Sequence, residues 1–295
     1  MPDSTHLSGG AALSSTEIHH GDRWVRTNDG LRLFEQSWAP ESPKAVVVLV
    51  HGFAEHSSRH ASTALHLARH GYAVQTLDLR GHGRSEGKRC FVRAFDEYLD
   101  DTTLLVLSAR ARWPGRPIYL LGHSLGGLIA SLFCIDRPTE LSGLILSAPA
   151  VKLGRDYSPS KIIACLALGR MFPRLPTVRL RGSSLSRDPS VVRAYDEDEL
   201  VFHGRTPART ASEIVRAIRR LQANAKRISV PLLVMHGSHD QVAEFEGSKA
   251  FCERVQSSDR SLRVCAGLWH EIMHEPEKDA VLQQMMDWLD ERTPD

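Results

Sequence analysis

The chain has 295 residues, 42% hydrophobic and 24% charged, the composition of an ordinary globular protein. A net charge of +2 gives no reason to expect nucleic acid, and no apolar run approaches the ~20 residues that cross a bilayer. Five cysteines, Cys90, Cys134, Cys165, Cys252 and Cys265, are scattered without a Cys-x-x-Cys pair, so they read as free thiols of a reducing compartment, not as a disulfide frame or metal site.

Residues 1–18 read as a flexible tail, polar and small, without the apolar stretch of a secretory signal. The expected location is therefore cytoplasmic. Trp24–Thr27 and Leu31–Trp38 form a hairpin around Asn28-Asp29-Gly30. Ala45–Val50 is a continuous β-branched run, the mark of a strand buried on both faces, and it ends in His51-Gly52-Phe53-Ala54-Glu55-His56. A short helix over 60–70, a strand from Tyr72 to Leu77 and the segment Asp78–Ser85 come next. From Phe95 to Arg112 an amphipathic helix carries Phe95, Tyr98, Thr102, Val106 and Ala109 at helical spacing.

Residues 117–133 then pass from an apolar strand through Gly122-His123-Ser124-Leu125-Gly126 into an apolar helix. A Gly-x-Ser-x-Gly turn in that setting presents its serine as a nucleophile above the sheet edge. Leu144–Ser147 is another strand. The alternation stops there: Val151 to about Arg209 holds several prolines, no clear strand and one apolar helix, Ile162–Phe172. It resumes with a helix from Ala211, a strand over 231–236, a helix over 244–255, a strand over 261–264 and a last helix over 277–292 that buries Val281, Met285, Trp288 and Leu289. Strands alternating with helices imply a mostly parallel central sheet covered by helices on both faces, an α/β fold. The predicted organisation is a core of 19–150 and 211–295 interrupted by an inserted helical cap, 151–210.

A serine hydroxyl needs a base, and the base needs an orienting acid. In open parallel sheets such groups lie on loops at the C-terminal strand ends. Asp240 follows one late strand and His270 the next, so the order Ser124, Asp240, His270 is that of an α/β-hydrolase triad. His239 and His274 are rival bases. His239 follows its strand too closely and His274 leads into the last helix. The oxyanion donors are expected at Leu125, after the nucleophile, and at Phe53, after the first parallel strand. No cofactor or metal is expected, since no ligand cluster is present.

The segments 51–59, 78–85, 122–127, 236–240 and 267–277 resemble, in order, motifs of the monoacylglycerol lipase / lysophospholipase family of α/β-hydrolases. The similarity covers about residues 20–292, including 188–192 and 206–210 of the cap. It implies a serine carboxylester hydrolase acting on monoacylglycerols and similar single-chain esters through an acyl-enzyme, with Ser124, Asp240 and His270 as triad and Phe53 and Leu125 as oxyanion donors. It also implies a lipid-facing cap and a glycerol head held by Glu55 and Arg59, for which a helix-capping salt bridge is the alternative. Phe53 departs from the smaller residue of many relatives, which bears on the width of the acyl pocket. His123, Ile163 and Leu166 complete the expected substrate contacts. The helix 162–172, apolar round most of its circumference, is either buried or in part a lipid-facing or acyl-channel surface, through which the protein contacts a membrane or micelle transiently. Two other functions fit the same scaffold. One is an exopeptidase of proline-iminopeptidase type, with Asp196-Glu197-Asp198-Glu199 receiving the substrate amine, or a C–C bond hydrolase. The other is a non-catalytic binding protein, against which an intact triad argues.

Overall fold

The computed structural model describes residues 17–137, 140–152 and 158–294. Most of the predicted tail lies outside them. Strands β1 (Ile18–Arg26), β2 (Arg32–Pro40), β3 (Ala45–Val50), β4 (Tyr72–Leu77), β5 (Ile118–His123), β6 (Gly143–Ser147), β7 (Leu232–Gly237) and β8 (Arg260–Cys265) form one sheet in the order β1-β2-β4-β3-β5-β6-β7-β8. The β1/β2 and β2/β4 pairs are antiparallel, and the pairs from β4/β3 to β7/β8 are parallel. This is the predicted α/β-hydrolase architecture. Helices α1 (Ala61–Arg69), α2 (Asp96–Arg112), α3 (Leu125–Asp136), α4 (Pro159–Met171), α5 (Pro189–Asp196), α6 (Ala208–Asn224), α7 (Phe245–Arg254) and α8 (Lys278–Asp290) complete it.

The two-residue period of a strand sorts the core into two layers. Val46, Val48 and Val50 of β3 join Leu99 and Val106 of α2, Leu128 and Leu132 of α3, and Ile218 and Leu221 of α6. Val47 and Leu49 point the other way, to Leu67 of α1 and Val281, Met285, Trp288 and Leu289 of α8. Both faces are thus covered, which is why β3 reads as an unbroken apolar run. β8 differs: it is an edge strand with several exposed positions, including a half-exposed Val264.

The hairpin is longer than its sequence signal. β1 begins at Ile18, within the expected tail, and pairs over its whole length with β2, so partner hydrogen bonds carry it beyond its own weak pattern. Between β6 and α6 lie α4, α5, a 3₁₀ turn at Gly182–Ser184 and an isolated bridge between Pro176 and Pro207. The sequence reading missed α5, although Asp188 caps it by accepting Ser190 N–H at 2.7 Å and Pro189 opens it. α6 starts before the predicted boundary at 210 and packs on α4, where a Cβ on Gly169 would lie 2.2 Å from Ser212 Oγ. Of the two readings of α4, the fully buried one does not hold. Gly169 is the buried residue of its described side chains, while Ile163 is 66% and Met171 67% exposed. An all-apolar helix carries no moment to say which face is covered, and here one neighbour covers one side. No helix among the described residues is long and apolar enough to cross a membrane.

Candidate active site

Three strand ends build the site. At the end of β5 the chain reverses into α3 through Ser124, whose φ of 52° lies in the left-handed region that non-glycine residues avoid. The turn closes only because its flanks are glycine. A Cβ on Gly122 would lie 2.3 Å from Gly126 O, and one on Gly126 would lie 2.0 Å from Val50 O. Ser124 N–H donates to Ser147 O at 2.9 Å, which locks the turn to β6. The result is a half-exposed hydroxyl at the N-terminus of α3, where the helix dipole favours developing negative charge.

His270 lies after β8, and its Nε2 is 2.8 Å from Ser124 Oγ. Its Nδ1 is 2.7 Å from Asp240 Oδ2, on the loop after β7. With Nδ1–H donating to the carboxylate, Nε2 is left as the acceptor facing the serine. Asp240 is fixed in turn. Its Oδ1 accepts the N–H groups of Val242 at 2.7 Å and Ala243 at 2.9 Å, and His236 Nε2 is 3.0 Å from Oδ2. Burial alone would raise the Asp240 pKa, but the His270 charge and hydrogen bonds from His236 and His270 outweigh it and hold the group well below the usual carboxylate range. For His270 burial disfavours the charge, and Asp240, with help from Glu271 and Glu55, reverses this and raises the pKa.

The rival bases are occupied elsewhere. His274 Nε2 donates to Arg59 O at 2.8 Å, and burial lowers its pKa. His239 pairs with Ser238 Oγ at 3.1 Å. Leu125 opens α3, where helix N–H groups lack intrahelical partners. Phe53 is half-buried on the loop after β3, its ring edge-on to His82 at 5.7 Å. Among the described residues neither the Phe53 nor the Leu125 N–H has an acceptor.

The expected headgroup residues form a salt bridge with each other, but neither side chain caps helix α1. Glu55 is buried, with Oε1 accepting Gly52 N–H at 2.6 Å and lying 3.2 Å from His60 Nε2, and Oε2 accepting Arg59 Nε–H at 3.1 Å. Arg59 Nη2 donates to both oxygens of Glu271, at 2.6 and 2.7 Å. The two side chains first form a buried ion cluster that joins the β3 loop to the residue after His270. His123 is buried beside it, 3.2 Å from Ser147 Oγ, its ring centroid 5.1 Å from that of His270. Leu166 is half-buried on α4, whereas Ile163 faces outward. A cleft of about 990 Å³, lined by residues between 177 and 205, includes no triad position.

Segment 182–202 meets the site at several points. Phe202 N–H donates to Ala54 O at 2.8 Å, Glu271 N–H donates to Leu185 O at 2.9 Å, and Arg59 stacks on the Tyr195 ring at 4.9 Å. Asp198 Oδ2 is 2.8 Å from His56 Nε2. The sequence reading weighed Asp198 only as one of an acidic run. Its signal was there in part, since an aspartate two residues before a Leu-Val pair is a turn former, but its partner is 142 residues away.

Residues 41–277 match the family model described as serine aminopeptidase, S33. A monoacylglycerol lipase of Mycolicibacterium smegmatis is 38% identical over 278 residues, 94% of this chain and 98% of that protein. The crystal structure of a Paleococcus ferrophilus monoacylglycerol lipase superposes with a TM-score of 0.80 at 29% identity, over 88% of this chain and 99% of that one. A soluble variant of the Saccharomyces cerevisiae monoglyceride lipase, solved with a substrate analogue, has the same fold, with a TM-score of 0.84 at 23% identity over 92% and 96% of the two chains.

Proposed function

Because this chain belongs to the serine aminopeptidase, S33 family, we propose that it is a serine carboxylester hydrolase cleaving monoacylglycerols and related single-chain acyl esters to fatty acid and alcohol. The observation that carries the reading is the unbroken line Ser124 Oγ, His270, Asp240, with links of 2.8 and 2.7 Å. In this mechanism Ser124 Oγ attacks the ester carbonyl carbon while His270 Nε2 takes its proton. The oxyanion receives the Phe53 and Leu125 N–H groups, neither of which has another acceptor among the described residues. His270 then returns the proton to the leaving glycerol oxygen, and water, deprotonated by the same nitrogen, releases the fatty acid. Asp240 keeps the imidazole in the productive tautomer and stabilises the imidazolium.

Residues between β6 and α6 act as the cap of this site. Their hydrogen bonds to Ala54, His56 and Glu271 support that assignment. Ile163, Met171, Phe172, Leu175 and Val178 leave an exposed apolar surface on the cap, interleaved with Arg170, Arg174 and Arg179. Such a mixture suits transient contact with a lipid surface, where the ester substrate resides. The exopeptidase reading requires a carboxylate free for an amine. Asp198 is engaged with His56 and Leu200 N–H, while Asp196, Glu197 and Glu199 are exposed.

The test compares a monoacylglycerol with an aminoacyl amide, using the wild type and Ser124→Ala. The ester is expected to be cleaved and the amide spared, with a fluorophosphonate labelling the wild type only. Losing a triad member costs about 10⁴- to 10⁶-fold. A Ser124→Ala protein that keeps a tenth of wild-type turnover, or faster cleavage of the amide, overturns the reading.

A further inference from the structure

The loop that carries Phe53 is held from two sides. Within the loop Gly52 N–H donates to Glu55, and from the body Asp78 Oδ1 accepts both Ser57 N–H at 2.8 Å and Ser57 Oγ–H at 2.6 Å. Between these anchors sits Ala54 with φ of 67°, a conformation that an L-residue keeps only when its surroundings impose it. Its other restraint comes from the cap side. Ala54 C=O accepts Phe202 N–H at 2.8 Å. Two residues on, the His56 ring, with 4% of the side chain exposed, reaches Asp198 Oδ2 at 2.8 Å.

One carboxylate organises both contacts. Asp198 Oδ1 accepts Leu200 N–H at 2.9 Å, and the Asp198 C=O accepts Val201 N–H and His203 Nε2–H, each at 3.1 Å. These bonds shape the turn that delivers Phe202 N–H to Ala54. In the run Asp196-Glu197-Asp198-Glu199, Asp198 is the member withdrawn from solvent. A solvated charge run would not need a buried imidazole as partner.

We propose that Asp198, acting through His56 and the Leu200–Phe202 turn, is a positioning residue for the oxyanion donor at Phe53. The inference rests on the proposed esterase mechanism, in which the Phe53 N–H is a donor. An oxyanion donor works only if it stands 2.7–3.1 Å from where the charged oxygen will be. Loosening the loop by a fraction of an ångström weakens a bond made fully in the transition state, so the loss falls on kcat more than on KM.

The experiment uses the full-length protein and a soluble butyrate ester, which bypasses any lipid contact of the cap. Asp198→Ala is expected to lower kcat about 10- to 100-fold, with KM within about twofold. The pH midpoint of kcat/KM should stay in place, because the His270–Asp240 pair is untouched. Affinity for a trifluoromethyl ketone, whose adduct carries the oxyanion, should fall in parallel with kcat. His56→Ala should lose part of the same amount, and Asp198→Ala/His56→Ala no more than Asp198→Ala alone. Asp198→Asn keeps the shape and loses the ionised acceptor, so it reports the same effect in smaller measure if the alanine variant does not fold. Folded variants with wild-type kcat, a loss confined to KM, or single-mutant losses that multiply in the double variant overturn the inference. Ser124→Ala runs alongside: if it stays active the esterase mechanism itself fails, and if it is dead while the Asp198 variants are normal only the positioning role does.

Discussion

Ser124 and His270 divide the work between strain and charge. The left-handed Ser124 costs on the order of 1–3 kcal/mol, met locally by its N–H bond to Ser147 and by Ala150 N–H, which donates to its carbonyl at 3.0 Å. His270 is held differently, by a buried carboxylate that raises its pKa above the ordinary 6.5. The free base must be neutral to accept the serine proton. Activity should therefore rise with pH through an inflection in kcat/KM above 6.5, and a pH–rate profile with its midpoint below 6.5 would contradict this. His274 looks similar in sequence, but its Nε2 is spent on the Arg59 carbonyl. His270→Ala should lose about 10⁴-fold or more in kcat, while His274→Ala keeps at least about a tenth of wild-type activity. Steady-state kinetics showing the reverse order would move the base to His274.

At the scale of elements, α4 is the helix whose sequence says least about its place. It has apolar residues all round and one close neighbour, α6. Its surface positions divide into outward ones, Ile163 and Met171, joined by Phe172 just beyond the helix end, and half-buried ones, Ile162 and Leu166. These two sets should answer differently to substitution. Ile163→Ser and Phe172→Ser should weaken cosedimentation with phospholipid vesicles and slow turnover of micellar long-chain monoacylglycerol. A monomeric butyrate ester should be cleaved as by the wild type. Leu166→Ser should shift chain-length preference, because each acyl methylene it helps cover is worth up to ~0.8 kcal/mol, roughly fourfold in binding. Equal losses on all substrates in variants with unchanged melting would leave α4 with a packing role alone.

At the scale of the molecule, the body is built over buried neutral histidines. Burial lowers the pKa of His51 to about 4 and of His82 to about 3, and it lowers those of His123 and His274 as well. His51 shows why the neutral form is required: Nε2 accepts Leu79 N–H at 2.9 Å while Nδ1–H donates to Gly52 O at 2.7 Å. These groups bind protons more readily in the unfolded chain than in the folded one. Their contribution to stability is whole above about pH 6.5 and is lost as pH falls toward the folded values, at ~1.4 kcal/mol for each unit of depression. His270 has the opposite sign but stands alone against these four and against His66, whose pKa burial also lowers. The melting temperature should fall progressively from pH 6.5 to pH 4, and a flat or rising Tm over that window in calorimetry would refute the assignment.

Much of this molecule was legible in the chain. The β-branched run 45–50, the Gly-x-Ser-x-Gly turn and the strand–helix alternation are local patterns. Strand period, turn sterics and loop position at strand ends follow from a few adjacent residues, which is why Ser124, Asp240 and His270 could be proposed together, and the fold brings them within hydrogen-bond distance. What the tertiary structure decided depends on partners distant in sequence. Arg59 reaches Glu55 four residues away, but what engages the rest of its guanidinium is Glu271, 212 residues from Arg59. Whether α4 is covered depends on what packs against it, which an all-apolar pattern does not encode. Asp198 reads as one acid among four, and the buried imidazole of His56 singles it out. Local propensity sets which elements form, and long-range packing and charge pairing set which side chains remain free for chemistry.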